Sequence, residues 1–166
     1  MSGIRIVPTG EEHVDGYRRC VGVVARERRY LAIVEEPAPE ESRAYRRAVI
    51  AGGGVHLVAV DAAEEVVGWC NVVRDTRPGY EHGGRLGMGI LPAHRGCGVG
   101  RQLLHAALDA ARAKGFERVG LEVYTWNGRA VQLYEAAGFE REGLRRRVRR
   151  VDGEYYDELM MVRYLP

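Results

Sequence analysis

Cysteine is scarce. There are three, at 20, 70 and 97. An odd number without a C-x-x-C pair excludes a disulfide framework and a zinc cage, and points to free thiols in a reducing cytoplasm. The five histidines (13, 56, 82, 94 and 105) lack metal-ligand spacing, and acidic clusters are missing, so no metal is expected. No apolar run follows a basic start, and no stretch approaches the roughly 20 apolar residues of a membrane helix; neither a leader nor a membrane partner is expected. Charge of one sign is missing too. Lys+Arg number 25 against Asp+Glu 23, a net charge of +2, so bulk electrostatics make no case for nucleic acid or lipid. Repeats, low-complexity tracts and linkers are absent. The expectation is a cytoplasmic protein with one domain spanning residues 1–166.

Periodicity supplies the elements. Residues 4–7 read as a short strand. Thr9 is placed as a helix cap, with Glu12 completing a capping box, ahead of a helix from His13 to about Glu27. Residues 40–50 read as a second helix, ended by Gly52-Gly53-Gly54. Residues 55–60 and 66–73 are β-branched runs that form a hairpin. Gly83-Gly84 fall near the end of a loop, and 86–90 form a strand stopped by Pro92. Val99, Leu103, Leu104, Ala107, Leu108 and Ala111 recur at helical spacing, and Gly115 closes that helix. A strand follows at 119–124. Asn127 caps a helix whose apolar face is Ala130, Leu133, Tyr134 and Ala137. The last two strands begin at Phe139 and Tyr155 and turn at Val151-Asp152-Gly153. The order β-α-α-β-β-β-α-β-α-β-β predicts an α/β fold, a mixed sheet covered by helices.

The most informative stretch is Ile90-Leu-Pro-Ala-His-Arg-Gly-Cys-Gly-Val-Gly-Arg101. It joins a strand to the strongest helix. Glycines at 96, 98 and 100 open a tight turn, so that main-chain N–H groups of residues 96–101 converge at a helix N-terminus. Those amides lack intrahelical partners and the helix dipole favours an anion there. Arg95 and Arg101 bracket the turn, and a pyrophosphate is the natural ligand. The Walker A pattern fails because Arg101-Gln102 stands where Lys-Ser/Thr is needed; the dinucleotide pattern fails because the third glycine comes one position early.

The pattern Arg95-x-x-Gly98-x-Gly100, preceded by Ile90-x-Pro92, resembles the coenzyme A-binding motif of the GNAT superfamily of N-acetyltransferases. The likeness continues through Leu121-Glu-Val, Asn127-Gly-Arg-Ala130 and Leu133-Tyr134-Glu-Ala-Ala-Gly138-Phe139, at a spacing like that of the ribosomal-protein alanine acetyltransferases. It is specific over about residues 86–140; the first 80 residues agree only in element order.

The resemblance implies acetyl-coenzyme A as cosubstrate, in a cleft where the strands at 86–90 and 119–124 splay apart. The pantetheine arm would follow Ile90 and Leu91, whose amides would also supply the oxyanion donor. The pyrophosphate would rest on Arg95 and on the amides of Gly96, Cys97, Gly98, Val99, Gly100 and Arg101. Asn127 and Ala130 would flank the arm, with a plain helix cap as the other role for Asn127. Tyr134 would touch the cofactor and protonate the leaving thiolate, as against a core tyrosine with its hydroxyl tied off. Glu122, in a mostly apolar strand, would be the base, with Glu27, Glu35 and a water chain as rivals. A primary amine would attack directly in a ternary complex.

Residues 26–35 with Tyr30 would wall the acceptor side. Trp69, Asn71, Tyr124, Trp126, Tyr155 and Tyr156 are pocket or core residues. The acceptor is left open between small molecules and peptides, and a homodimer through the C-terminal hairpin is compatible. Arg141 and the basic run at 145–150 read as a solvated edge hairpin rather than a nucleic-acid strip. A Cys97 nucleophile lacks a histidine at suggestive spacing. A non-catalytic acyl-coenzyme A sensor is the alternative function.

Overall fold

The computed structural model describes residues 3–166. Its elements are β1 (Arg5–Pro8), α1 (Val14–Arg26), α2 (Pro39–Ala51), β2 (Val55–Val60), β3 (Val66–Arg74), β4 (Gly83–Ile90), α3 (Val99–Ala113), β5 (Arg118–Tyr124), α4 (Gly128–Ala136), β6 (Glu140–Val151) and β7 (Glu154–Tyr164). The seven strands form one mixed sheet in the order β1-β2-β3-β4-β5-β7-β6. All pairs are antiparallel except β4 with β5. Element type and order match the expectation throughout.

Alternation along the strands sorts two cores. Leu57, Ala59, Cys70 and Val72 face α3 and α4, whereas Val58, Val60 and Trp69 face α1. The helix α3 earns its place by buried area. Val99, Leu103, Leu104, Ala107, Leu108 and Ala111 are all buried, and each leucine so placed contributes about 1.5–3 kcal/mol. On the other face, Gly16 lowers the helix propensity of α1 but lets it lie close on the sheet: a Cβ there would come within 2.7 Å of Val66 Cγ2.

Two local expectations are corrected. Thr9 does not cap α1. It is buried, and its hydroxyl meets His56 Nδ1 at 2.8 Å. The chain enters α1 through a single 3-10 turn, Glu11–His13, in which the Gly10 N–H donates to His13 Nδ1 at 2.9 Å. Gly83 and Gly84 belong to β4 rather than to the loop, because they pair with Arg118 and Val119 of β5.

Candidate active site

The parallel contact between β4 and β5 is short. It covers Gly83↔Arg118, Gly84↔Val119 and Arg85↔Gly120, and then stops. Beyond it the strands part: β5 continues along β7 to Tyr124, and β4 continues along β3 to Ile90. A cavity of about 950 Å³ fills the opening.

The phase of the β3–β4 ladder decides which main-chain groups face this gap. Leu91 N–H donates to Val67 C=O at 2.9 Å, and Asp75 N–H to Gly83 C=O at 3.0 Å. Odd-numbered residues of β4 therefore bond to β3, and even-numbered ones turn their N–H and C=O groups toward β5. The Ile90 amide faces the gap. The Leu91 amide does not, which removes Leu91 as an oxyanion or pantetheine donor and corrects the expectation for it.

The turn after β4 has the shape that the glycines imply. Gly96 and Gly98 adopt φ of 79° and 89°, a region that side chains other than glycine rarely enter. Between Arg95 N–H, bonded to Pro92 C=O, and Gln102 N–H, bonded to Gly98 C=O, no main-chain hydrogen bond among the described residues ties down the amides of residues 96–101. A Cβ on Gly98 would find nothing nearer than Gln102 Nε2 at 4.0 Å. Val99 is fully buried and anchors the turn to the core. Cys97 is exposed, and its thiol donates to His94 C=O at 2.9 Å. A Cβ on Gly100 would meet Leu133 Cδ2 (3.5 Å) and Met88 Cε (3.7 Å) at ordinary contact distance, so packing alone does not demand a glycine there. An open row of untied amides at a helix N-terminus fits a diphosphate.

A third guanidinium joins the two that the motif supplies at this turn. Arg101 lines the cavity. Arg95 lines it too, but its guanidinium is engaged: it donates to both Glu27 carboxylate oxygens (2.9 and 2.5 Å) and to Ile90 C=O (2.9 Å), and lies 4.7 Å from the Tyr30 ring centre. The guanidinium over the turn belongs to Arg129, which a Cβ on Gly96 would strike. Sequence reading passed over Arg129; the available signal was its place in the first turn of the helix that Asn127 caps.

Asn127 Oδ1 accepts from Ala130 N–H at 3.3 Å, so the cap is real, and both residues line the cavity. Tyr134 also lines it, though it is only 8% exposed. Burial, with Cys70 beside it, pushes the phenol well above its ordinary pKa. Glu122 does not sit among apolar groups as expected. Its carboxylate meets Arg85 Nε at 2.6 Å and Arg145 Nη2 at 3.7 Å, and Arg145 also reaches Glu158 at 3.5 Å. Of the three glutamates weighed as base, only Glu122 lines the cavity; Glu27 is held by Arg95.

On the acceptor side, Tyr30, Leu31 and Ala32 come from the segment between α1 and α2, Tyr45 from α2, Asn71 from β3 and Tyr124 from β5. Trp69 lies beneath Gly89, where a Cβ would collide with its ring. Trp126 meets Tyr30 at a tilt of 59°, ring centres 5.2 Å apart, outside the cavity lining. Tyr155 and Tyr156 also lie outside it. The edge strand β6 carries the basic run, and Arg147 and Arg150 stack on Tyr155. No helix among the described residues is long and apolar enough to cross a membrane.

Both the sequence and the fold have relatives among known proteins. Over 137 residues, 82% of this chain and 80% of the relative, the sequence is 36% identical to the N-alpha-acetyltransferase RimI of Mycobacterium tuberculosis. It is 33% identical to the L-methionine sulfoximine/L-methionine sulfone acetyltransferase of Pseudomonas aeruginosa over 107 residues, 63% of this chain and 62% of the relative. The fold superimposes on a phosphinothricin acetyltransferase from Sinorhizobium meliloti, solved in complex with AcCoA. The TM-score is 0.92 at 20% identity, covering 98% of this chain and 89% of the other. Residues 24–139, which hold the splayed strands, the glycine turn and the helix of Tyr134, match the acetyltransferase (GNAT) family. The chain belongs to the GNAT family of acetyltransferases.

Proposed function

We propose that the protein transfers the acetyl group of acetyl-coenzyme A to a primary amine by direct attack in a ternary complex. The observation that carries this reading is the row of untied amides at 96–101, opening onto the gap between β4 and β5. Acetyl-coenzyme A supplies an acyl group activated as a thioester. The amides, with Arg101 and Arg129, hold its diphosphate. The Ile90 N–H, aimed into the gap, donates to the thioester carbonyl. Tyr134, kept protonated at neutral pH, hands its proton to the departing sulfur. An amine near pKa 10 must shed a proton before it attacks, and Glu122 takes it directly or through water.

Thiol release from acetyl-coenzyme A tests the reading, with amines grouped as amino acids, polyamines, aminoglycosides and peptides. Release with at least one class is expected. Binding of acetyl-coenzyme A without release for any class would favour a sensor.

A further inference from the structure

The acceptor end of the cavity holds a charge pattern that the transfer step does not need. Arg85 projects from β4 with 72% of its side chain exposed and lines the cavity. Its ion-pair partner is Glu122, 2.6 Å from Nε. Among the described residues, no other carboxylate comes within ion-pair distance of this guanidinium, and its exposure leaves it open to a further anion. Burial pushes the Tyr45 phenol above its ordinary pKa, and the positive charge of Arg85 opposes that rise. Both Tyr45 and Asn71 line the same cavity. The floor there is Gly87, whose Cβ would press to 3.2 Å on Asn71 Oδ1.

An exposed cation fork and a carboxylate thus lie side by side over a small floor. That arrangement mirrors the zwitterion of an α-amino acid, in which ammonium and carboxylate are separated by one carbon. We propose that the acceptor is a free α-amino acid, its carboxylate held by the Arg85 fork and the Tyr45 hydroxyl, its amino group turned toward Glu122 and the thioester. This rests on the transfer reading above.

The surroundings favour a small acceptor over a protein terminus. The segment between α1 and α2 is clasped to the β6–β7 turn by Arg28, which donates to both Asp152 oxygens at 2.9 and 3.0 Å. Arg149 adds a bond to the Arg28 carbonyl at 3.3 Å. Tyr30, packed at a tilt against Trp126 and under Arg95, lines the wall below. An extended peptide would have to part this clasp.

The test compares free amino acids with their carboxamides and with short peptides, in the full-length protein. Free acids should show kcat/KM about 10-fold or more above the matching amides, since an unpaired fork forfeits a charge-assisted bond. Arg85→Gln should raise KM for the acids about 10-fold and leave KM for the amides within about 2-fold, with kcat less affected. Any effect through the released Glu122 would strike acids and amides alike, so the difference isolates the fork. Equal use of acids and amides, or preference for peptides, would overturn the proposal while leaving acetyl transfer intact. Failure of wild-type protein to bind acetyl-coenzyme A in calorimetry would instead sink the transfer reading, and this proposal with it.

Discussion

The two halves of the cleft are built by different rules. The cofactor half runs almost continuously along the chain, from β4 through the glycine turn and α3 to β5 and α4, and it works largely through main-chain groups. The acceptor half is gathered from Tyr30, Tyr45, Asn71, Arg85 and Tyr124, which come from five separate stretches, and it works through side chains. Main-chain chemistry depends on local conformation, which glycines and caps dictate over a few residues. Side-chain chemistry depends on which elements the sheet brings together. One half is therefore written as a motif, and the other only as a fold.

Gly98→Val should strike the cofactor half hardest. A β-branched residue at φ 89° is strained, and its methyls would occupy the open space over the amides. Affinity for acetyl-coenzyme A should fall by about 100-fold or more in calorimetry, two tightly bound phosphates losing their contacts. Circular dichroism should still report a folded protein. Retained affinity would mean that the diphosphate lies elsewhere.

Tyr134→Phe keeps the packing against Phe139, ring centres 5.7 Å apart, and removes only the hydroxyl. Turnover should fall about 100-fold, a typical worth for a positioned general acid, with acetyl-coenzyme A affinity unchanged. Unchanged turnover would return Tyr134 to the core, where its burial already places it.

Arg95 and Arg129 sharpen the comparison, because motif and contacts assign them to opposite halves. By spacing, Arg95 belongs to the cofactor; by contact it belongs with Glu27, Tyr30 and the Ile90 carbonyl. Arg129→Gln should weaken acetyl-coenzyme A about 10-fold, the worth of one exposed phosphate contact, and more so at low salt. Arg95→Gln should leave that affinity within about 2-fold and instead raise KM for the acceptor, since the wall holding Tyr30 loosens. The reverse pattern would put the motif arginine back on the phosphate.

The sequence made the cofactor half legible for the same reason that it misplaced particular groups within it. Glycines at 96 and 98, the Asn127 cap and the spacing of α3 are local signals, and each appears where expected. The splay of β4 from β5 was reached by resemblance, and the short run of parallel pairs matches it. What stayed hidden depends on distant partners. The loss of the Leu91 amide follows from ladder phase against Val67. Arg95 is diverted by a glutamate 68 residues away. The surroundings of Glu122 come from Arg85 and Arg145, on strands to either side of β5 and β7. For Asn71 the sequence leaves pocket and core both open, and nothing in it brings Tyr45 alongside.

The same contrast extends to acid sensitivity, because the acceptor half rests on a buried histidine. His56 is 4% exposed, edge-on to the Tyr17 ring at 4.7 Å and paired with Thr9; its Nε2 meets no partner among the described residues. It stands opposite Asn71 in the β2–β3 ladder and near the Tyr45 ring. Burial, aided by Arg46, lowers its pKa from 6.5 to about 4. The unfolded chain therefore binds one more proton than the folded protein between those values, and stability falls as pH drops from 6.5 toward 4. The full shift is worth roughly 3 kcal/mol, and at pH 5 about 2 kcal/mol, or some 4–8 °C in Tm for a domain of this size. His56→Gln should be less stable than wild type at pH 7 but should lose less on moving to pH 5. Because Tyr45 and Asn71 lean on His56, acceptor KM should rise in this window before acetyl-coenzyme A affinity changes. If wild type and variant lose Tm in parallel between pH 7 and 5, the histidine is not the group that takes up the proton.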